Sequence, residues 1–456
     1  MRVPIILAGL LLSTLSPAAY AEPPRLTLAT FEAEVTPPIG HACMGGGIAP
    51  VTKVDDPLFA KGFVLQGAGE PIVVVAVDWC EIRNDAYERW REALAKAAGT
   101  TRARVLVAAL HQHDAPIADL TAQKLLDSVK ARGSICDLAF HEEAVERVAK
   151  ALEEGLKKTR PVTHIGTGLA KVEKVASNRR FHDKDGNVRF TRMSATRDAA
   201  IRDAEEGLID PMLRMLSFWD GATPLLAMSA YATHPMSYYG KGWVSADFVG
   251  LARKRMQTDL PGVFQMYFSG CSGNVTAGKY NDGAVDNRPV LADRIYQGMK
   301  AAWKGTTRQP IEALTFRVAK LEFEPRGGPG FTPGDLATKL KEGKRGFDQC
   351  LAAFALSWRE RLKTRPAVDV PALDWGSGVL TLLPAESYVE YQLYAQKQRP
   401  KDFVFVMGYG ECAPGYIPTE KHWEEKDGNL SDWNWVAPGA QTRMERAIRA
   451  ALGTKD

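Results

Sequence analysis

The 456-residue sequence lacks the short signatures of nucleotide and metal-cluster chemistry. No Gly-x-Gly-x-x-Gly run opens the first strand-to-helix turn and no Walker phosphate loop occurs, so a nucleotide cradle is not expected. The 6 cysteines, Cys43, Cys80, Cys136, Cys271, Cys350 and Cys412, form no Cys-x-x-Cys pair. Zinc-finger and thioredoxin readings lose their basis with that. Charge of one sign is scarce, since 58 Lys and Arg face 54 Asp and Glu for a formal net +4. The basic stretches at 341–345 and 359–365 sit among acids without interleaved aromatics, which fits a solvated helix face and not a DNA or RNA footprint.

Long apolar runs are also missing. The nearest is Val3 to Leu15, which follows the positive Met1-Arg2 and precedes the small-x-small triplet Ala19-Tyr20-Ala21. That is the grammar of an export signal cleaved before Glu22, too short for a spanning helix, and no later stretch approaches the ~20 apolar residues a span requires. The expectation is a signal peptide at 1–21 and a mature chain at 22–456, periplasmic or secreted, with no transmembrane segment. An oxidising compartment permits one to three disulfides, but roughly 435 residues bury a large core without them. Cys80 closes the apolar segment 72–79 and reads as a buried thiol.

What is present is alternating strand and helix grammar. Segments 72–78 and 104–110 are continuous apolar strands flanking a helix-forming stretch at 86–98, a βαβ pattern. A helix at 140–158 precedes an alternating strand at 162–169, and core strands are expected at 224–232, 264–268 and 379–383. The fold class is therefore α/β, with mixed sheets and flanking helices. Clustered Gly, Pro and charge at 321–345, then a helix at 349–362, mark 321–365 as a smaller subregion or a long excursion.

Histidine is sparse, at 8 residues, yet two apolar runs end in it. Val107-Ala108-Ala109-Leu110 runs directly into His111-Gln112-His113-Asp114, and an apolar run at 225–230 feeds Tyr231-Ala232-Thr233-His234. A turn after Leu110 can aim one imidazole at a metal and the other at substrate. The acidic loop Asp183-Lys184-Asp185-Gly186-Asn187 lacks the full calcium-loop spacing and reads as a solvent turn.

A series of landmarks then runs nearly the length of the mature chain: Phe31 to Gly40 with its Thr36-Pro37-Pro38 turn, Asp56 to Lys61, His111-Gln112-His113, Asn178-Arg179, Thr233-His234-Pro235, Gly273-Asn274-Val275-Thr276, Leu383-Pro384-Ala385-Glu386 and Gly415 to Thr419. In this order they resemble the catalytic domain of the neutral/alkaline ceramidase family, zinc amidases that hydrolyse the N-acyl bond of ceramide. The resemblance implies zinc as cofactor, with His111, His234, Glu386 and Tyr416 as its protein ligands. It implies that His113 faces the substrate carbonyl and that Arg179 positions the substrate. Two imidazoles and a carboxylate suit zinc, which brings bound water toward a pKa of ~7.

Each residue also has a plainer reading. A strand-end histidine can bond a neighbouring loop, Glu386 can cap a helix beginning near Ser387, Tyr416 can pack over a turn, and Arg179 can be a surface residue. Asp114 is a turn residue or the acceptor that orients His113, and Asn274 and Thr276 line the site or serve a tight glycine loop. The chain departs from the family pattern in having Asn274 for aspartate, Thr276 for serine and no tyrosine after Tyr416, with only His422 and Trp423 nearby. It ends at Asp456 soon after a helix at 442–452, so the family's C-terminal immunoglobulin-like domain is not expected. The expected activity is zinc-dependent hydrolysis of an acyl-amide bond in a small or lipid-like substrate. Its alternatives are a zinc esterase or lactonase and a secreted metal-containing binding module.

Overall fold

The structure, a computed structural model, describes residues 26–454, so the expected signal at 1–21 lies outside the described residues. Three mixed sheets organise the chain. The first runs Val105–Ala109, Ile72–Val77, Phe59–Gln66, Leu26–Glu34, Arg160–Val162. The second runs Phe264–Ser269, Thr223–Tyr231, Met212–Asp220, His164–Lys171, Thr307–Pro310. The third runs Thr315–Glu322, Ala367–Asp374, Gly378–Leu382, Phe403–Met407.

The apolar runs read from the sequence are continuous because their strands are covered on both faces. Val73, Val75 and Val77 face the helix side, while Val74 and Ala76 face a central core. Leu106 and Ala108 of the first sheet share that core with Leu226, Met228, Met266 and Phe268 of the second and Leu380, Leu382, Phe405 and Met407 of the third. Strand alternation thus lets one run serve two apolar layers.

Each sheet contains one parallel pair closed by a helix. Ile72–Val77 and Val105–Ala109 flank the helix Asn84–Ala98, Thr223–Tyr231 and Phe264–Ser269 flank Asp247–Asp259, and Gly378–Leu382 and Phe403–Met407 flank Val389–Gln398. The carboxyl ends of these pairs meet. The Ala109 amide donates to Tyr409 O at 2.9 Å, the Gly408 amide to Ser269 O at 2.8 Å, and Ser269 Oγ to Leu110 O at 2.8 Å. Residues just beyond the strand ends of all three sheets therefore occupy one place, as ligand-binding residues do in open α/β sheets.

Within 321–365, a capping box at Thr332 starts the helix Pro333–Glu342, and the helix Gly346–Thr364 follows. Ser357 Oγ on the latter donates to Asp119 Oδ1 at 2.6 Å and accepts from Asn84 Nδ2 at 3.0 Å, tying this segment to the first βαβ unit. All six cysteines are buried free thiols.

His141 is buried with neither ring nitrogen bonded to a protein partner, and this burial lowers its pKa to about 4. An unfolded histidine titrates near ~6.5. Above that pH both states are neutral and the native state keeps its full stability; as pH falls toward 4 only the unfolded chain takes up the proton, so stability is lost. In urea unfolding at about pH 7.5 and about pH 5, the wild type should lose about 2 kcal/mol more than a His141→Phe variant. Parallel losses would show that His141 is not the group responsible.

Candidate metal centre

Strands of the first and third sheets end in sharp turns at non-glycine residues. His111, Ala385 and Tyr409 have φ of +75°, +50° and +58°, in the left-handed region that costs a side-chain-bearing residue on the order of 1 kcal/mol or more. The turn at His111 is held by its amide, which donates to Trp79 O at 2.9 Å, and His234 is held by donation to Val275 O at 2.9 Å. Glu386 and Tyr416 are direct partners in a two-residue parallel ladder. Strand ends from the first, second and third sheets thereby deliver His111, His234 and Glu386 to a common centre.

His111 Nε2 lies 3.2 Å and His234 Nε2 3.0 Å from the same carboxylate oxygen, Oε2 of Glu386. Both opposite nitrogens face backbone carbonyls: His111 Nδ1 is 3.0 Å from Cys80 O, and His234 Nδ1 is 2.6 Å from Ser272 O. A carbonyl accepts, so each Nδ1 carries its hydrogen and each neutral ring turns its Nε2 lone pair inward. Two nitrogen lone pairs and a carboxylate oxygen then converge, all fully buried, with no hydrogen between them. Such a set repels itself unless a cation stands among its members, and this donor chemistry fits a divalent transition metal. His111, His113 and His234 also bring one nitrogen each within 4.8 Å of one another, and Glu81, His111 and Glu386 form an overlapping set.

The electrostatics agree with a cation-binding pocket. With no cation among these donors a proton takes its place: burial opposes it, but Glu386 raises the pKa of His111, and the same pairing, against burial, holds the Glu386 carboxyl well below its ordinary range. Burial with the nearby Arg179 lowers His234 to about 4. Desolvation, with His111 and His234 beside it, keeps His113 well below its usual range and thus neutral. His113 is half-buried, with its ring centroid 5.4 Å from that of His111.

Arg179 is buried at 3% exposure. It donates to the Tyr416 hydroxyl at 2.7 Å, and its other terminal nitrogen is 3.4 Å from His234 Nε2. Its amide donates to Asn274 O at 2.8 Å. Arg179 is therefore buried against Tyr416 and His234 and is not a surface residue, while Arg180 turns away to Glu425 at 2.5 Å.

The remaining expected residues sit one layer out. Asp114 Oδ1 accepts from the amides of Gly240 and Gly242, each at 3.1 Å, so its carboxylate holds a neighbouring loop. Asn274 Oδ1 accepts from the Val389 amide at 2.9 Å and its Nδ2 donates to Glu390, which secures the helix after Glu386. Thr276 Oγ1 donates to Met193 O at 3.2 Å. Glu386 does not cap that helix, because its carboxylate points at the two histidines. His422 bonds Thr419 Oγ1 at 2.8 Å and packs edge-on to Tyr388.

Two residues at the centre, Tyr409 and Glu81, carry no distinguishing mark in the sequence. Tyr409 stacks on His111 at 4.2 Å between ring centroids, with an interplanar angle of 20°, and its hydroxyl is 2.7 Å from Ser272 Oγ. Glu81 lies 3.9 Å from His111 Nδ1 and is held by Arg83 at 2.6 Å and Trp433 Nε1 at 3.2 Å. Burial, opposed by Arg83 and reinforced by Glu386, pushes Glu81 up to about 7. Both Glu81 and Tyr409 follow the ends of parallel strands, the positional signal that picked out His111.

No protein-family model matches the chain, and no curated protein does. Among solved structures, it is similar to a ceramidase complexed with C2, at 17% identity and a TM-score of 0.69, over 94% of this chain and 75% of that one. It is also similar to neutral ceramidase from Pseudomonas aeruginosa, at 17% identity and a TM-score of 0.67, over 95% and 75% of the two chains. The chain has the mixed α/β fold of these enzymes over nearly its whole described length.

Proposed function

We propose that this protein is a zinc-dependent hydrolase of acyl-amide bonds in small or lipid-like substrates. The observation that carries the reading is the buried convergence of His111 Nε2, His234 Nε2 and Glu386 Oε2, with the opposite nitrogen of each ring facing a backbone carbonyl. The fold shared with ceramidases supports the choice of an amide as the scissile bond. His111, His234 and Glu386 would hold the ion, with Tyr416 as the fourth protein ligand. Zinc there supplies Lewis acidity and lowers the pKa of water toward ~7.

The chain's own groups do the rest. His113, kept neutral, donates a hydrogen bond to the carbonyl oxygen as that oxygen gains negative charge. Arg179, fixed by Tyr416 and by the Asn274 carbonyl, presents a rigid cation that orients the acyl group. Tyr409 keeps the His111 ring in one plane. The leader-like sequence at 1–21 supports a periplasmic or secreted location, and no described helix is long and apolar enough to cross a membrane.

The test is a substrate panel. Zinc-loaded protein is offered short N-acyl amines, N-acyl amino acids and ceramides of short to long chain, with products identified by mass. Release of matched carboxylate and amine from at least one class is expected. Cleavage confined to esters or lactones would move the assignment to an esterase, and folded protein that binds no transition metal would remove the hydrolase reading.

A further inference from the structure

Beside His113, the loop from Met236 to Val244 is fixed at almost every residue except one. The Ser237 amide donates to Asp247 Oδ2 at 3.1 Å, Asn281 Nδ2 donates to Ser237 O at 2.5 Å, and Arg288 donates to Tyr238 O at 3.0 Å. Asp114 takes the amides of Gly240 and Gly242, and Trp243–Val244 pairs with Lys53–Val54. Gly242 has φ of +68° and a Cβ there would stand 1.9 Å from Pro50 O, so the turn packs its backbone directly on the segment at Pro50 and admits no side chain there. The exception is Tyr239, whose side chain is presented by this rigid frame. It is 38% exposed and lies edge-to-face on His113, with ring centroids 4.8 Å apart.

The two sides of the centre differ in chemistry. Toward Arg179 the neighbours are a buried guanidinium and a phenol hydroxyl. Toward Tyr239 there is a half-buried imidazole and then an exposed aromatic ring. A substrate whose carbonyl oxygen meets His113 places its adjoining carbon chain within reach of that ring, and an apolar chain gains there what a methyl group cannot.

We propose that Tyr239 is a specificity-determining residue, forming with His113 the wall that receives the substrate's acyl group and favouring extended or aromatic acyl groups over acetyl. This rests on the amide-hydrolase reading for its function but is testable without turnover. The probes are carboxylates, the acyl products: acetate, octanoate and phenylacetate, titrated calorimetrically into the zinc-loaded full chain. The wild type should bind octanoate and phenylacetate more tightly than acetate. Tyr239→Ala should reduce that advantage about tenfold, the worth of one ring face of apolar contact. Acetate affinity and zinc content should stay unchanged, and Tyr239→Phe should behave as the wild type.

Equal binding of acetate and octanoate by the wild type overturns the proposal, as does a full octanoate advantage in Tyr239→Ala. Loss of acetate binding in that variant would mean that Tyr239 acts only by placing His113, and sensitivity of octylamine in place of octanoate would assign the wall to the amine side. Either result overturns the acyl-wall assignment. If the substrate panel shows no amide cleavage while the carboxylate series behaves as described, the amide reading fails and the acyl wall stands.

Discussion

Glu386→Gln should lower zinc affinity by at least about a hundredfold, and with it amide hydrolysis at limiting zinc, while leaving a folded protein. The substitution keeps the size of the side chain and removes the charge that faces both His111 Nε2 and His234 Nε2. Removing a supporting group outside the ligand shell already costs about 10–100-fold in metal affinity, and a direct ligand is expected to cost more. The cleanest readout is the metal-dependent part of stability. With zinc at about 100 times its dissociation constant, the wild type gains about 2.7 kcal/mol against unfolding, and the variant should gain almost none at the same concentration. Elemental analysis should give about one zinc per wild-type chain and little in the variant. An unchanged zinc-induced shift in Glu386→Gln would place the metal elsewhere and sink the centre described here.

How much of this arrangement is legible in the sequence depends on whether its cause is local. The helix expected at 86–98 occupies Asn84–Ala98, and the strands expected at 224–232, 264–268 and 379–383 occupy Thr223–Tyr231, Phe264–Ser269 and Gly378–Leu382. Each has its own periodicity or apolar run, so the residues themselves carry the signal. The meeting of three sheets has no such local mark. It depends on contacts such as Ala109 to Tyr409 and Gly408 to Ser269, made by backbone atoms that any residue possesses. His111 and His234 were conspicuous because imidazole is rare in this chain. Glu81 was not, because one carboxylate after a strand resembles dozens of solvated ones until Arg83 and Trp433 are seen enclosing it. Tyr409 was hidden for the converse reason, since an aromatic at a strand end is ordinarily core. Asn274 and Thr276 show the remaining limit: a glycine-rich loop beside a site has the same sequence whether its side chains meet substrate or, as here, meet Val389, Glu390 and Met193.

The separation of metal holding from carbonyl activation leads to the second large effect. His113→Ala should retain about one zinc per chain and a near-normal zinc-induced stabilisation, yet turn over amides about a hundredfold to a thousandfold more slowly. Loss of one donor to a developing oxyanion costs about 2.7–4 kcal/mol in the transition state. His113 can be removed without touching the Glu386 carboxylate, which is contacted by His111 and His234 at 3.2 and 3.0 Å. Its ring is set apart from theirs, 5.4 Å from His111 and 6.3 Å from His234 between centroids. A donor that acts mainly in the transition state should lower kcat with little change in KM, whereas loss of a substrate-binding contact would raise KM. Wild-type turnover in His113→Ala would remove this imidazole from the mechanism. Loss of zinc in the same variant would instead make His113 a ligand, the role that its position within 4.8 Å of the other two histidine nitrogens also permits. Zinc content and kcat measured on one preparation therefore decide whether the histidine pair after the strand Val105–Ala109 divides its labour, His111 holding the ion and His113 serving the carbonyl.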